Sequence, residues 1–388
     1  MDEMIRHLQD PAALPDPTET VALLQTHISV VLVADAFVYK IKKPVDFGFL
    51  NFSTLERRKY YCQREVELNR RLSRDLYLGV VPVTRQGQAY TLRDTGGTPV
   101  DYAVKMKRIP DDKLMKSLFA RGEITEDHLR QIAKVVAGFH ANAPMTPEIR
   151  AFGSPERFAV NTSENFRQIR EYIGTTLSGN QFHSLKEWTE DFYRLNHELF
   201  LKRMDQGRIR DCHGDLHMEH VCLTEDIPIF DCIEFNDRFR YSDTIADIAF
   251  LLMDLEYHGG GQLSEMLWQY YKDMAGEEGM EDLLTFYKVY RAIVRGKVNG
   301  FQITDPSIGE TEKEQAARVA RKYFDLALSY IKSSIGLGRR VSPADKSLKR
   351  PARRPGAEEK FFCPGTRFAA IPLIIELIRI FLPPALIY

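Results

Sequence analysis

The stretch His213-Gly214-Asp215-Leu216-His217-Met218-Glu219-His220-Val221-Cys222-Leu223, followed by Asp231, Cys232, Ile233 and Glu234, holds the densest set of reactive side chains in the sequence. Val221 to Leu223 and Ile227 to Phe230 read as the arms of a hairpin turning on Glu225-Asp226, a register that sets His220 opposite Asp231. Side chains paired in this way have Cβ atoms about 4.5–5.5 Å apart, close enough to share one cation. Glu-Asp is not a favoured two-residue turn, so a slipped register is the alternative. Asp215 falls on the loop before the hairpin, where Gly214 permits a tight backbone path. A carboxylate on a loop beside a pair of metal ligands suits phosphoryl transfer, in which one group orients the attacking hydroxyl and a divalent cation clamps the phosphates. The spacing of His213, His217 and His220 also raises a zinc site, but Gly214 and the β-like residues after His220 work against one helix presenting all three imidazoles. Further along, Asp243, Asp247 and Asp254 lie in an apolar helical pattern, where a buried carboxylate must find partners. Arg291, Arg295 and Lys297 share a later helix, either as surface charges or as contacts to an anionic substrate.

His213-Gly214-Asp215-Leu216-His217 with the downstream Asp231 resembles the signature of the aminoglycoside phosphotransferase family, whose fold is protein-kinase-like. The resemblance implies roles. Asp215 would position and deprotonate a substrate hydroxyl, and His217 would shape the catalytic loop or substrate pocket. Asp231 with His220 would hold Mg²⁺ or Mn²⁺. Lys40, on the strand-like run Phe37 to Lys42, would bind the phosphates of ATP and pair with Glu65 on the following helix, with Lys42 and Glu67 as the alternative partners. Met106, Lys107, Arg108 and Ile109 occupy the place of the kinase hinge, whose backbone would hold the adenine. Asp247 resembles the helix aspartate that bonds the catalytic loop, and Thr125 to Ala141 the first long helix of the second lobe. Two features depart from the family pattern: His220 stands where an asparagine metal ligand is usual, and no glycine-rich loop lies between Thr26 and Phe37. Imidazole is a poor ligand for Mg²⁺ and a good one for Mn²⁺ or Zn²⁺. The runs Val45 to Ser53 and Ile233 to Tyr241 are similar to a bacterial branch in which some members carry a further P-loop domain. No G-x-x-x-x-G-K-[ST] occurs here, so that domain is not expected.

The elements that must position these residues follow a β-rich then α-rich order, an α+β pattern. A brief helical stretch is expected near Glu19 to Gln25, then a hairpin over Ile28 to Lys43 broken at Ala34-Asp35-Ala36. Ser53-Thr54-Leu55-Glu56 reads as a capping box with Ser53 as cap, opening a helix that ends near Ser73. Val80 to Thr84, Ala89 to Leu92 and Val100 to Arg108 read as a meander. Thr125 caps a periodic helix, and helical patterns recur at Ser184 to Arg203, Asp243 to His258, Gln262 to Met274, Met280 to Val298 and Glu310 to Ile331. The expected architecture is thus a two-lobed kinase-like fold. Residues 1–108 form a small antiparallel β-sheet lobe with one long helix that binds nucleotide, residues 109–338 a mainly α-helical catalytic lobe, and residues 339–388 a tail.

Composition narrows the partners. The chain has 388 residues with 53 Lys+Arg against 54 Asp+Glu, a net charge of −1 that gives no bulk attraction to nucleic acid. Five cysteines without a C-x-x-C pair argue against a disulfide framework and fit a reducing cytoplasm. The first residues lack the apolar core of a secretory signal, so the mature chain is expected to start near Met1. The tail combines a basic, Pro-containing linker with an apolar stretch interrupted by Pro372, Glu376 and Arg379, which packs on the body or attaches at a membrane interface. The expectation is an ATP-dependent phosphotransferase using Mg²⁺ or Mn²⁺ and acting on the hydroxyl of a small molecule. A nucleotide-binding regulatory protein without transfer is the alternative.

Overall fold

The computed structural model describes residues 1–305 and 308–336, and the tail expected over 339–388 lies outside the described residues. A short helix α1 (Asp2–Leu8) precedes β1 (Ala22–Gln25), β2 (Ser29–Val33) and β3 (Phe37–Lys42). The helix α2 (Leu55–Asn69) then leads to β4 (Tyr77–Gln86), β5 (Ala89–Thr91) and β6 (Pro99–Lys107). The strands form one six-stranded antiparallel sheet in the order β1-β2-β3-β6-β4-β5.

Three local expectations change here. Residues 22–25 are a strand and not a helix, because four residues are too few to repay helix nucleation while the edge of β2 offers ladder partners from Ala22↔Val33 to Gln25↔Val30. The helix α2 is capped by Thr54, whose hydroxyl accepts the Arg57 amide at 3.3 Å, while Ser53 bonds Asn51. The last three strands are not a meander: β6 crosses back to lie between β3 and β4, leaving short β5 at the edge. The strand β6 carries the fully buried Ala103 and Val104 in the sheet interior, whereas β5 at the edge is only three residues long.

Beyond the sheet the chain is mainly helical, with α3 (Met115–Ala120), α4 (Glu126–Asn142), α5 (Pro147–Ala151), α6 (Pro155–Ile169), α7 (Gly179–Leu195) and α8 (His197–Asp205). A two-stranded ribbon of β7 (Ile209–Asp211) and β8 (Tyr241–Asp243) brackets α9 (Asp237–Arg240) and the whole His213 to Glu234 segment. The long helices α10 (Thr244–Tyr257), α11 (Gly261–Ala275), α12 (Glu281–Ile303) and α13 (Glu310–Gly336) complete it. The expected helix over Ser184 to Arg203 is two helices divided at Asn196, and α6, with Ser154 as cap and Pro155 at its first position, is an addition to the helices expected. Thr125 caps α4 as expected, its hydroxyl taking the His128 amide at 3.2 Å. This is the α+β, two-lobed architecture expected, and no described helix is long and apolar enough to cross a membrane.

The two lobes share one apolar cluster. Val31, Val38 and Val104 from the sheet, Cys62 and Val66 from α2, and Cys222 and Phe230 from the hairpin region pack together. Within the helical lobe, α12 and α13 approach closely at Gly296, where an added Cβ would fall 2.7 Å from the Phe324 ring. Gly296→Ala is therefore expected to lower stability by about 1–3 kcal/mol through overpacking. Helix propensity alone predicts a gain of about 1 kcal/mol. Denaturant unfolding of the two proteins decides between them, and a more stable variant would disprove the close packing.

Candidate active site

The first side chain to place is Lys40, whose strand β3 lies between β2 and β6, with α2 packed on the neighbouring β6 and β4. Its Nζ lies 2.9 Å from Glu65 Oε1 and 2.8 Å from Asp231 Oδ1. Lys42 occupies the same face two residues on, 2.6 Å from Glu65 Oε2, and pairs also with Glu234. Glu65 thus holds both lysines with its two oxygens, so Lys40 and Lys42 are neighbours in one network and not alternatives. Glu67 points elsewhere, to Arg64 at 2.8 Å on the exposed side of α2. Burial opposes ionisation of Lys40, but Asp231 and Glu65 outweigh it and keep its ammonium well above the usual lysine range. Glu234 differs: burial and the nearby Glu65 raise it, and Lys42 offsets only part.

The catalytic-loop candidate is clamped from beneath. The carboxylate of Asp247, at the start of α10, accepts the His213 amide at 2.9 Å and the Gly214 amide at 2.8 Å, and lies 3.1 Å from His140 Nε2. Burial disfavours its charge, yet His140, His213 and Arg291 hold it far below the normal carboxylate range. Arg291 donates to the Gly214 carbonyl at 2.9 Å, fixing the same turn from α12. Gly214 has φ 86°, and a Cβ there would lie 2.9 Å from the Phe239 carbonyl, so the position demands glycine twice over. Asp254, from the same helix, receives the Met218 amide at 3.1 Å. Asp243 caps α10 and pairs with Arg203, which places it in the framework.

Around this clamp the expected residues converge, though by another register. Val221 bridges Ile229, and the Phe230 amide donates to the His220 carbonyl, so His220 faces Phe230 and not Asp231. The cause is a wider turn, with the Ile227 amide donating to Thr224 and Ile227 at φ 42°. Asp231 recovers the contact because its own φ is 63°, a left-handed conformation that swings the carboxylate towards Lys40 and His220. His220 Nε2 then lies 3.6 Å from Asp231 Oδ2. Its Nδ1 donates to the Asp215 carbonyl at 2.8 Å, and burial next to His217 lowers its basicity, so the Nε2 lone pair faces the carboxylate. Two buried electron-pair donors face each other with no proton between them, an arrangement that fits a cation. His217 Nε2 is 3.5 Å from Asp215 Oδ2, and ligand atoms of Asp215, His217 and His220 all lie within 4.8 Å of one another. His213 is excluded as a ligand: Nδ1 accepts the Asp215 amide and Nε2 donates to the Phe230 carbonyl. Burial raises the cost of charging Asp215, but His217, His220 and Arg295 keep it ionised well below the usual range.

At the hinge, Met106 and Ile109 belong to the apolar cluster with Phe230. The amides of Lys107 and Arg108 are already bonded to Leu76 and Ala36 at 2.9 Å each. The β1–β2 turn, where a glycine loop is missing, closes on itself: Thr26 Oγ1 accepts the amides of Ile28 and Ser29 at 3.2 and 2.8 Å. Sequence reasoning gave no role to Glu234, Asn69, Tyr77 or His140. Asn69 accepts the Cys232 amide at 2.8 Å and the Tyr77 hydroxyl accepts that of Asp231 at 3.1 Å, so α2 and β4 fix the strained segment. Only Glu234, a carboxylate in the apolar run Ile233-Glu234-Phe235, carried a readable signal.

A model of the phosphotransferase enzyme family matches residues 50–283. The chain belongs to this family. An uncharacterised protein of Mycobacterium tuberculosis (strain ATCC 25618 / H37Rv) is 32% identical over 308 residues, 79% of this chain and 59% of its own length. An uncharacterised protein of Mycobacterium bovis (strain ATCC BAA-935 / AF2122/97) matches to the same extent, so the chain spans 59% of the length of these curated relatives. A choline kinase of Cryptosporidium parvum Iowa II shares the fold, with a TM-score of 0.50 at 12% identity over 83% of this chain and 91% of that one. Family membership bears out the resemblance read from His213 to His217.

His213 supplies a test of the buried geometry. Burial lowers its pKa from 6.5 to about 4, so the folded protein keeps it neutral where an unfolded chain would protonate it. Its contribution is complete above about pH 6.5 and is lost as pH falls towards 4. Between pH 7 and pH 5 the wild type is expected to lose about 2 kcal/mol more than His213→Gln, measured by urea unfolding. Equal losses would show that His213 is not buried neutral.

Proposed function

We propose that this family member is an ATP-dependent phosphotransferase that moves the γ-phosphate to a hydroxyl of a small molecule. The observation that carries the reading is the convergence of Lys40, Asp231, His220 and Asp215 over the clamped Gly214 turn. In this reading residues 1–108 bind nucleotide and 109–338 carry catalysis and substrate. The Val31, Val38, Met106, Ile109 and Phe230 cluster forms the adenine platform, with hinge contacts restricted by the engaged amides of Lys107 and Arg108. Asp231 and His220 would hold Mg²⁺ or Mn²⁺, which when bound would neutralise phosphate charge. Lys40, steadied by Glu65, exchanges Asp231 for the α- and β-phosphates. Asp215 accepts a hydrogen bond from the acceptor hydroxyl and aligns its oxygen on the γ-phosphorus. The new O–P bond forms as the bond to the bridging oxygen of ADP breaks, and the hydroxyl proton passes to Asp215. Because Asp215 is a weak base, its contribution is orientation first and proton acceptance late. His217, packed on the His220 ring at 4.0 Å between centroids, keeps the loop in shape.

Lys40 is 3%, Asp215 6%, His220 2% and Asp231 8% exposed, so nucleotide entry requires the lobes to part. The four described cysteines are buried and unpaired, which supports a reducing cytoplasm as the site of action. The second reading, nucleotide binding without transfer, rests on His220 and on the self-closed Thr26 turn.

Two experiments test the proposal. ATP with metal is expected to raise the melting temperature of wild type and to lose that effect in Asp231→Ala. Asp215→Asn is expected to keep the shift while transfer falls by about 10²-fold or more. A folded Asp215→Asn protein transferring at the wild-type rate removes the mechanism. Separately, His220→Asn is expected to move metal preference from Mn²⁺ towards Mg²⁺. An unchanged Mn²⁺ to Mg²⁺ activity ratio would remove His220 from the metal site.

A further inference from the structure

Lys297 on α12 is half-buried and unlike the fully buried Lys40 and Lys42. Lys40 and Lys42 each have carboxylates at ion-pair distance, whereas among the described residues no carboxylate lies within 4.0 Å of Lys297. Its Nζ donates to Asn165 Oδ1 on α6 at 2.7 Å and lies 5.9 Å from the Phe301 ring centroid. Burial pulls it down to about 8, with Glu164 supporting and Arg238 opposing its charge. A half-buried ammonium with one neutral partner is costly unless something completes its surroundings.

The neighbouring groups point to what does. Asn161 and Asn165 lie one turn apart on α6 and are 6% and 4% exposed, and Asn161 Oδ1 and Asn165 Nδ2 have no hydrogen-bond partner. Arg238 reaches the same helix from α9, donating to Glu164 Oε2 at 2.6 Å, and Arg167 lies 3.9 Å from the other Glu164 oxygen. Two arginines therefore pair with Glu164, and Lys297 feels the same carboxylate only from beyond contact distance. Both walls lead to the catalytic loop, since Arg291 of α12 bonds the Gly214 carbonyl and Phe239, next to Arg238, closes over Gly214. Gly214 immediately precedes Asp215.

We infer that the phosphoryl acceptor is an anionic hydroxy compound, and that its phosphate or carboxylate docks between α6 and α12 on Lys297 and Arg238, leaving its hydroxyl to Asp215. The inference rests on the phosphotransferase reading and adds the substrate class to it. Asn165 Nδ2 supplies a further donor to the anion, and Asn161 Oδ1 accepts from a hydroxyl. A cationic acceptor, such as an amino sugar or a quaternary amine, would meet the ammonium of Lys297, which has no carboxylate within 4.0 Å, and is disfavoured there.

Glycerol 3-phosphate, glycerate, glycerol and choline test this as matched probes in thermal-shift titrations, each run with ADP and Mn²⁺ present so that the nucleotide site is already filled. One or both anionic probes are expected to stabilise the wild type further at millimolar concentrations, and glycerol and choline not. Lys297→Met is expected to weaken that effect about tenfold or more, and Lys297→Arg to restore part of it. Should Lys297→Met fail to fold, Arg238→Gln, on a partly exposed side chain, is expected to weaken the same probes. Stabilisation by neither anionic probe, or stabilisation that survives both Lys297→Met and Arg238→Gln, overturns the inference. ADP and Mn²⁺ alone report on the parent reading: nucleotide stabilisation with no anion effect removes only the anionic pocket, whereas no nucleotide stabilisation removes the phosphotransferase reading itself.

Discussion

The buried ion network of Asp231, Lys40, Glu65, Lys42 and Glu234 is the constraint on which the rest of this molecule depends. Each of these charges would be several kcal/mol worse off alone than in water, so none tolerates a missing neighbour. Because the groups come from β3, α2 and the segment after the hairpin, satisfying them fixes the sheet, its packed helix and that segment relative to one another. Three carboxylates face two lysines, and burial resolves the imbalance by pushing Glu234 towards the protonated form. The apolar cluster around Val31, Val104 and Phe230 surrounds the network and keeps water from relaxing it.

The helical lobe answers with a second buried charge, Asp247, which organises backbone instead of side chains. Two consecutive amides and an imidazole converge on it, and Arg291 captures the next carbonyl. The loop therefore arrives at Asp215 with its geometry set by α10 and α12, elements whose apolar faces are fixed by packing. Pre-organisation of this kind would let a weakly basic carboxylate serve in the proposed reaction, since orientation does not depend on its pKa.

Legibility in the sequence followed the range of the interaction. The cap at Thr125, the hairpin broken at Asp35 and the long helices were readable because their signals are local. Lys40 and Glu65 were readable through family resemblance, but their sharing of Glu65 with Lys42 was not, since it depends on rotamers across two elements. The position of β6 escaped because strand order is decided by which strand best tolerates burial on both faces, a competition among distant segments. The hairpin register slipped by one residue, yet the contact it was used to infer survived, because the left-handed backbone at Asp231 returned the carboxylate to His220. That conformation is imposed by Asn69 and Tyr77 from outside the motif, and no local rule for an aspartate predicts it.

On the proposed function, the two lysines have different tasks although they are two residues apart on one strand. Lys40 sits on Asp231, where its ammonium holds the carboxylate ionised and takes the electrostatic place that a divalent cation would fill in the proposed reaction. In the proposed reaction, nucleotide binding would replace one cationic partner by another at Asp231 and give Lys40 phosphates in exchange, so the number of buried unpaired charges would not rise. Lys42 has no such exchange partner. It remains tied to Glu65 and Glu234, and its position over the Phe52 ring at 4.9 Å limits where it can move. Opening can therefore rearrange the Lys40 end of the network while the Lys42 end holds α2 to the segment after Asp231. A site closed by its own charges needs such a division, because releasing both lysines together would strand three carboxylates in an apolar interior.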